Sequence, residues 1–135
     1  MKIVSNLLVI LTKKTNRYSM LEKIKNKRDE LVKESNDILN ELSIVLGGFE
    51  TLLDGVTSLQ EVDEKLEALI KKGKELSSRY EQLEQTTVKF IEENNLGGRV
   101  NLILGLSCIN TIRKIEHTLD LVSFDYLEKE YFREG

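Results

Sequence analysis

Apolar residues recur with a heptad period along the first half of the chain. From Leu21 to Leu59 they alternate steps of three and four residues, and ten of the twelve positions in this series are apolar. This spacing is typical of coiled coils and helical bundles. A second apolar row runs beside the first, at Val32, Leu39, Leu46 and Leu53. Because a two-stranded coiled coil needs only one narrow stripe, the wider surface predicts a bundle of three or more helices.

The heptad register also predicts where the first helix ends. It passes through Gly47-Gly48 without a shift, although glycine costs about 1 kcal/mol inside a helix. A new register begins after Asp54-Gly55, where Ser58-Leu59-Gln60-Glu61 matches a capping box. We therefore predict a first helix over about 19–54 and a second over about 58–93. A break at Gly47-Gly48 is the alternative.

The remaining segments complete the predicted domain plan. A loop is expected at residues 94–98, since Asn and Gly adopt the left-handed conformation that ends helices. The segment over about 99–132 starts almost wholly apolar, which predicts a third helix buried on most sides. Its small residues Gly105, Ser107 and Cys108 would let another backbone approach closely. Residues 1–18 are predicted as a short N-terminal helix or an extended arm, joined by a polar hinge to the bundle of residues 19–135.

These patterns together predict an all-α fold. We expect an elongated antiparallel helical bundle, or coiled coil, of about three long helices, with the short N-terminal helix as an optional addition. The 135 residues suffice for one domain, and the absence of proline favours uninterrupted helices.

Rare residue types limit the chemistry. Cys108 and His117 are the only cysteine and the only histidine, so no intramolecular disulfide forms and a structural zinc site lacks ligands. Nine residues apart on one helix, they would lie on opposite sides and could not act as a nucleophile and base. The glycine pairs match no phosphate-binding motif. We therefore expect no catalytic residue, cofactor or metal ligand; an enzyme holding a metal through carboxylates is the least favoured hypothesis.

Charge is unevenly distributed. Residues 1–33 carry nine Lys or Arg against three Asp or Glu, whereas the remaining residues carry eleven against twenty. The apolar run near the N-terminus is about half the length that a membrane-spanning helix needs, so a membrane role is not expected. A single cysteine fits a reducing compartment, and we expect a cytoplasmic protein.

The leading hypothesis is a non-catalytic protein–protein interaction subunit. It would self-assemble, or dock on a larger macromolecular partner in an assembly, regulatory or inhibitory role, because so wide an apolar surface favours contact with another chain. The predicted interaction seam comprises Leu31, Ile38, Leu42, Val45, Leu52, Leu69, Leu76, Leu83, Ile109 and Ile112, some of which would be intramolecular core. The alternative is a nucleic-acid-associated protein that binds phosphates through the basic N-terminal third. The residues expected to contact phosphates or an acidic partner are Lys13, Lys14, Arg17, Lys23, Lys25, Lys27 and Arg28.

Overall fold

The computed structural model describes the backbone of residues 2–132 and the side chains of residues 18–132. Over this range the chain forms helices and no strand. The elements are α1 (Lys2–Glu50), α2 (Leu59–Glu93), a 3₁₀ turn (Gly97–Arg99), α3 (Val100–Leu104), α4 (Leu106–Leu121) and α5 (Phe124–Tyr131). The all-α class, with long helices packed against each other, is thus confirmed. No helix in the described part of the chain is long and apolar enough to cross a bilayer.

A turn over residues 51–55 joins α1 and α2 into an antiparallel hairpin. Gly47 and Gly48 are helical, and the chain reverses around Gly55, whose φ of +70° suits glycine. The hydroxyl of Ser58 caps α2 by accepting a hydrogen bond from the Glu61 N–H at 3.2 Å. The Glu61 carboxylate accepts from the Thr57 N–H at 2.9 Å, one residue earlier than a standard capping box.

The predicted hinge between residues 1–18 and the bundle is wrong, because α1 is one continuous helix from Lys2 to Glu50. The polar residues 13–17 include neither glycine nor proline. A run of polar residues does not by itself interrupt a helix, whereas those two residue types do.

A single third helix over 99–132 is also wrong, since this segment is divided at two points. Gly105 has φ +78° and ψ 147°, a conformation open almost only to glycine, and it separates α3 from α4. Val122 is extended, and the Ser123 hydroxyl caps α5 by accepting from the Tyr126 N–H at 3.2 Å. Both breaks fall within an apolar pattern that continues across them, so the periodicity did not reveal them.

The core lies where α1 contacts both α2 and α4. The apolar rows of α1 face these two neighbours, and Leu104 of α3 and Phe124 of α5 also belong to the core. The buried apolar cluster comprises Leu31, Ile38, Leu42, Val45, Leu76, Tyr80, Leu83, Phe90, Leu96, Leu104, Cys108, Ile115 and Phe124. Of the predicted small residues, Cys108 does face α1, where its Sγ lies 3.9 Å from the Ser35 Oγ, whereas Ser107 is exposed.

The last helix, α5, packs on α2. The ring of Phe124 covers Gly73, and the Tyr131 hydroxyl donates to the Asp63 carbonyl at 2.8 Å. By contrast, α4 touches α2 over only a short stretch. A groove therefore remains open between α2 and α4.

Candidate interaction surface

The predicted interaction seam lies largely inside the single chain. Six of its residues are buried in the core: Leu31, Ile38, Leu42, Val45, Leu76 and Leu83. The other four, Leu52, Leu69, Ile109 and Ile112, are half-buried. Since α1, α2 and α4 already cover the buried six, a second chain cannot reach them without opening the bundle. A surface for a partner has to be sought elsewhere.

One exposed surface is the part of α1 that precedes the bundle. Lys23 and Ile24 lie beside Phe90 and Glu93, at the end of α2. Just before this point three large apolar side chains are open to water: Tyr18 is 74%, Met20 58% and Leu21 64% exposed. We call residues 2–22 the N-terminal extension. At 1.5 Å per residue, this part of α1 is about 30 Å long.

The predicted phosphate contacts cluster in and near this extension. Lys13, Lys14 and Arg17 lie outside the residues whose side chains are described. Lys23 and Lys25 are exposed, whereas Lys27 pairs with Glu30 at 3.4 Å and Arg28 with Asp29 at 2.9 Å. Two of the four described basic residues are thus already neutralised by nearby carboxylates of their own helix.

The second surface is the groove between α2 and α4, which holds a cavity of about 510 Å³. Half-buried Leu119 of α4 and Val122, which directly follows α4, form part of its apolar lining. Its lining includes Glu81 on α2 and Asp120 on α4, and also Lys74, which is paired with Asp125 and Glu128. Glu84 on α2 and Glu116 on α4 lie close enough to Tyr80, as Asp120 does, to act on its hydroxyl. The acidic groove is defined by these four carboxylates, Glu81, Glu84, Glu116 and Asp120. None of these four carboxylates forms an ion pair within residues 18–132. Unbalanced negative charge on two adjoining helices favours a cationic partner.

The carboxylates of this groove affect the pKa of Tyr80. Its side chain is buried in the core, and its hydroxyl makes no hydrogen bond within the described residues. Burial, followed by the nearby charges of Glu116, Glu84 and Asp120, raises the pKa of Tyr80 to about 12. The phenol therefore stays neutral at physiological pH and is available only as a hydrogen-bonding group.

A separate ionic cluster joins α1 to α2. The Arg79 guanidinium donates to the Glu34 carboxylate at 3.0 Å and also to Glu41. Lys72 lies 3.2 Å from the same Glu41 carboxylate. Hydrogen bonds from Arg79 and then Lys72 lower the pKa of Glu41. Because these charges neutralise each other between two helices, we assign them to the stability of the hairpin.

The residues that could perform chemistry do not form a site. Cys108 is buried against Ser35, and His117 is exposed on the same helix. In the described part of the chain, no group of three or more His, Cys, Asp or Glu side chains is arranged to hold a metal ion. Comparison with family models, curated proteins and solved structures finds no match for the chain. The N-terminal extension and the groove between α2 and α4 are therefore the two candidate surfaces for a functional contact.

Sequence reasoning missed the acidic groove. The spacing of Glu81 and Glu84, and of Glu116 and Asp120, predicts one charged face on each of two helices. Such faces are ordinarily solvated exteriors. Only the packing of α4 and α5 brings the two faces to the same groove.

Proposed function

We propose that this protein is a protein–protein interaction subunit that presents the N-terminal extension of α1 to another protein chain. The observation that carries the proposal is the exposure of Tyr18, Met20 and Leu21 on a helix that continues to Lys2. Closer to the N-terminus, the sequence of the same helix contains five more aliphatic residues at helical spacing, Ile3, Val4, Leu7, Leu8 and Leu11.

The physical reason is the stability of a helix in water. Most helical stability in proteins comes from packing an apolar face against another element and not from the helix preferences of single residues. At Tyr18, Met20 and Leu21 the protein's own helices α2 and α4 do not supply that element. A second chain that covers this face would bury the exposed apolar area and stabilise the helix.

A role without catalysis fits the chemistry of the described groups. The shifted pKa values of Glu41, Lys72 and Arg79 arise from ion pairs between helices, and that of Tyr80 arises mainly from burial. We also propose a reducing, cytoplasmic location, which suits the free thiol of Cys108.

Nucleic-acid binding through the basic N-terminal third is the second candidate function. It has less support, because Lys27 and Arg28 are paired with Glu30 and Asp29. It makes a distinct prediction: affinity for DNA or RNA would fall steeply with salt and would depend on basic residues, not on Leu21.

The test is to place charge on the exposed apolar face of the full chain. We expect Tyr18→Glu with Leu21→Glu to abolish association, either with itself in sedimentation equilibrium or with a partner captured by cross-linking. The matched control is Leu106→Glu on α4, which is equally exposed and lies on another face. All three proteins should keep the same helical circular dichroism, because the changed positions are at the surface.

Three results would contradict the proposal. The first is a chain that stays monomeric at micromolar concentration and captures only proteins that the Tyr18→Glu, Leu21→Glu variant captures as well. The second is an association that the Leu106→Glu control loses equally. The third is salt-sensitive binding to nucleic acid as the only measurable association.

A further inference from the structure

We propose that the partner of the N-terminal extension is the acidic groove of a second copy of this chain, in a reciprocal dimer. This inference rests on the proposed function and names its partner.

The charges of the two surfaces are complementary. Residues 2–22 contain four basic residues, Lys2, Lys13, Lys14 and Arg17, against one acidic residue, Glu22. The acidic groove has four carboxylates without an ion-pair partner in the described range. Opposite potentials of this kind guide association and exclude wrong partners.

The heptad register argues against pairing two extensions with each other. Counted back from Ile24 and Leu21, the same series contains Arg17 and Lys14 in its middle, followed by apolar positions such as Leu7. A seam between two extensions would bury these cations without counter-charges, which is costly. Against the acidic groove they would meet carboxylates, while the apolar positions would meet the lining around Leu119 and Val122.

The length of the extension agrees with a dimer in which two bundles face each other end to end. The extension leaves the bundle beside Glu93, where α2 ends. From Glu93 to Glu81 the distance along α2 is about 18 Å, and to Ser77 about 24 Å. An extension about 30 Å long therefore spans the groove of a second bundle that faces it end to end.

A two-fold axis makes the arrangement reciprocal. Each extension would lie in the groove of the other copy, which gives a closed dimer. A stable interface takes about 20–30 residues from each partner. About half of residues 2–22 would face the groove, and with the ten residues that line it they give about 20 residues from each chain.

Exchange of charge between the two surfaces tests the inference. The extension variant is Lys14→Glu with Arg17→Glu, and the groove variant is Glu84→Lys with Glu116→Lys. Each variant alone juxtaposes like charges, so we expect its dimer dissociation constant to rise by about tenfold or more. A mixture of the two variants restores both complementary contacts, so we expect heterodimers at the affinity of the wild-type protein.

The matched control reverses two exposed carboxylates away from the groove, Glu50→Lys with Glu67→Lys. It should dimerise like the wild-type protein and should not form preferential heterodimers with the extension variant. Sedimentation equilibrium at two salt concentrations gives the affinities, and a tagged copy detects the heterodimers. Circular dichroism checks that every variant remains helical.

The outcomes separate this inference from the proposed function. A dimer that is lost in the Tyr18→Glu, Leu21→Glu protein but unaffected by the groove variant overturns the groove as partner and leaves the proposed function standing. A monomer whose extension captures a different protein likewise overturns the groove as partner and leaves the proposed function standing. A monomer with no partner, or one that binds only nucleic acid, overturns both.

Discussion

Gly73 in α2 is the position where one added methyl group would most directly test how α5 packs. A Cβ atom there would lie 2.2 Å from the Cε1 atom of Phe124, far inside van der Waals contact. Phe124 is only 3% exposed, and its ring centroid lies 6.4 Å from that of Phe49 on α1. The ring therefore has little room to move, and Gly73→Ala must displace it.

Two opposing effects determine how much Gly73→Ala changes the free energy of unfolding. Alanine in place of glycine in a helix interior stabilises by about 1 kcal/mol, whereas overpacking a well-filled core costs about 1–3 kcal/mol. With so short a contact at a confined ring, we expect Gly73→Ala to destabilise the protein by about 1–2 kcal/mol. At Gly47 no atom lies within 4 Å of the added Cβ, so Gly47→Ala should stabilise by about 0.5–1 kcal/mol.

Urea unfolding followed by circular dichroism at 222 nm measures both changes. For a chain of 135 residues, each kcal/mol corresponds to about 3–5 °C in the melting temperature. In a Phe124→Leu background, which removes part of the ring, the cost of Gly73→Ala should become smaller. Equal stability of the Gly73→Ala and Gly47→Ala proteins would refute the placement of the Phe124 ring over Gly73.

Four further predictions, three of them for substitutions and one for chemical labelling, follow from described contacts. Gly105→Ala should destabilise by about 1–3 kcal/mol in urea unfolding despite open space around it, because its φ of +78° strains any other residue; a neutral result would contradict the break between α3 and α4. Ser58→Ala should cost about 1 kcal/mol in the same assay through loss of the α2 cap, whereas an unchanged midpoint would argue against that cap. The lowered pKa of Glu41 means that its ion pairs stabilise the fold above the usual value of 4.5 and that this contribution disappears as pH falls through the lowered pKa. Glu41→Gln should therefore reduce the acid-induced loss of stability, measured as urea midpoints between pH 3 and 6, and an identical pH profile would count against these pairs. The buried thiol of Cys108 should react with a disulfide reagent at the rate of unfolding, and fast labelling of the folded protein would disprove its burial.

Much of the α1–α2 hairpin was predictable because its signals are local. The change of register near Asp54-Gly55 and the Ser58 cap place the reversal close to its observed position. The broken third segment was not predictable in the same way. Gly105 occurs within an apolar run, and glycine inside such a run also fits a continuous helix in which another backbone approaches closely.

The sequence also does not determine which chain covers the residues of the predicted interaction seam. Residues such as Leu31, Ile38 and Leu42 lie on an apolar stripe, and that stripe looks the same whether its partner is another helix of the same chain or a second chain. In the structure, α2 and α4 cover these residues. The surfaces left for a partner are the ones that packing did not use.

The amino-acid order alone establishes that the protein is helical, that the first helix has an apolar surface wide enough for two neighbours, and that the N-terminal third is basic. These are properties of single segments, since periodicity and charge are read within one helix. Tertiary packing decides which segments become neighbours: α4 on α1, α5 on α2, and the faces of Glu81 and Asp120 along one groove. Such pairings depend on contacts between residues far apart in the chain, and no local pattern encodes them.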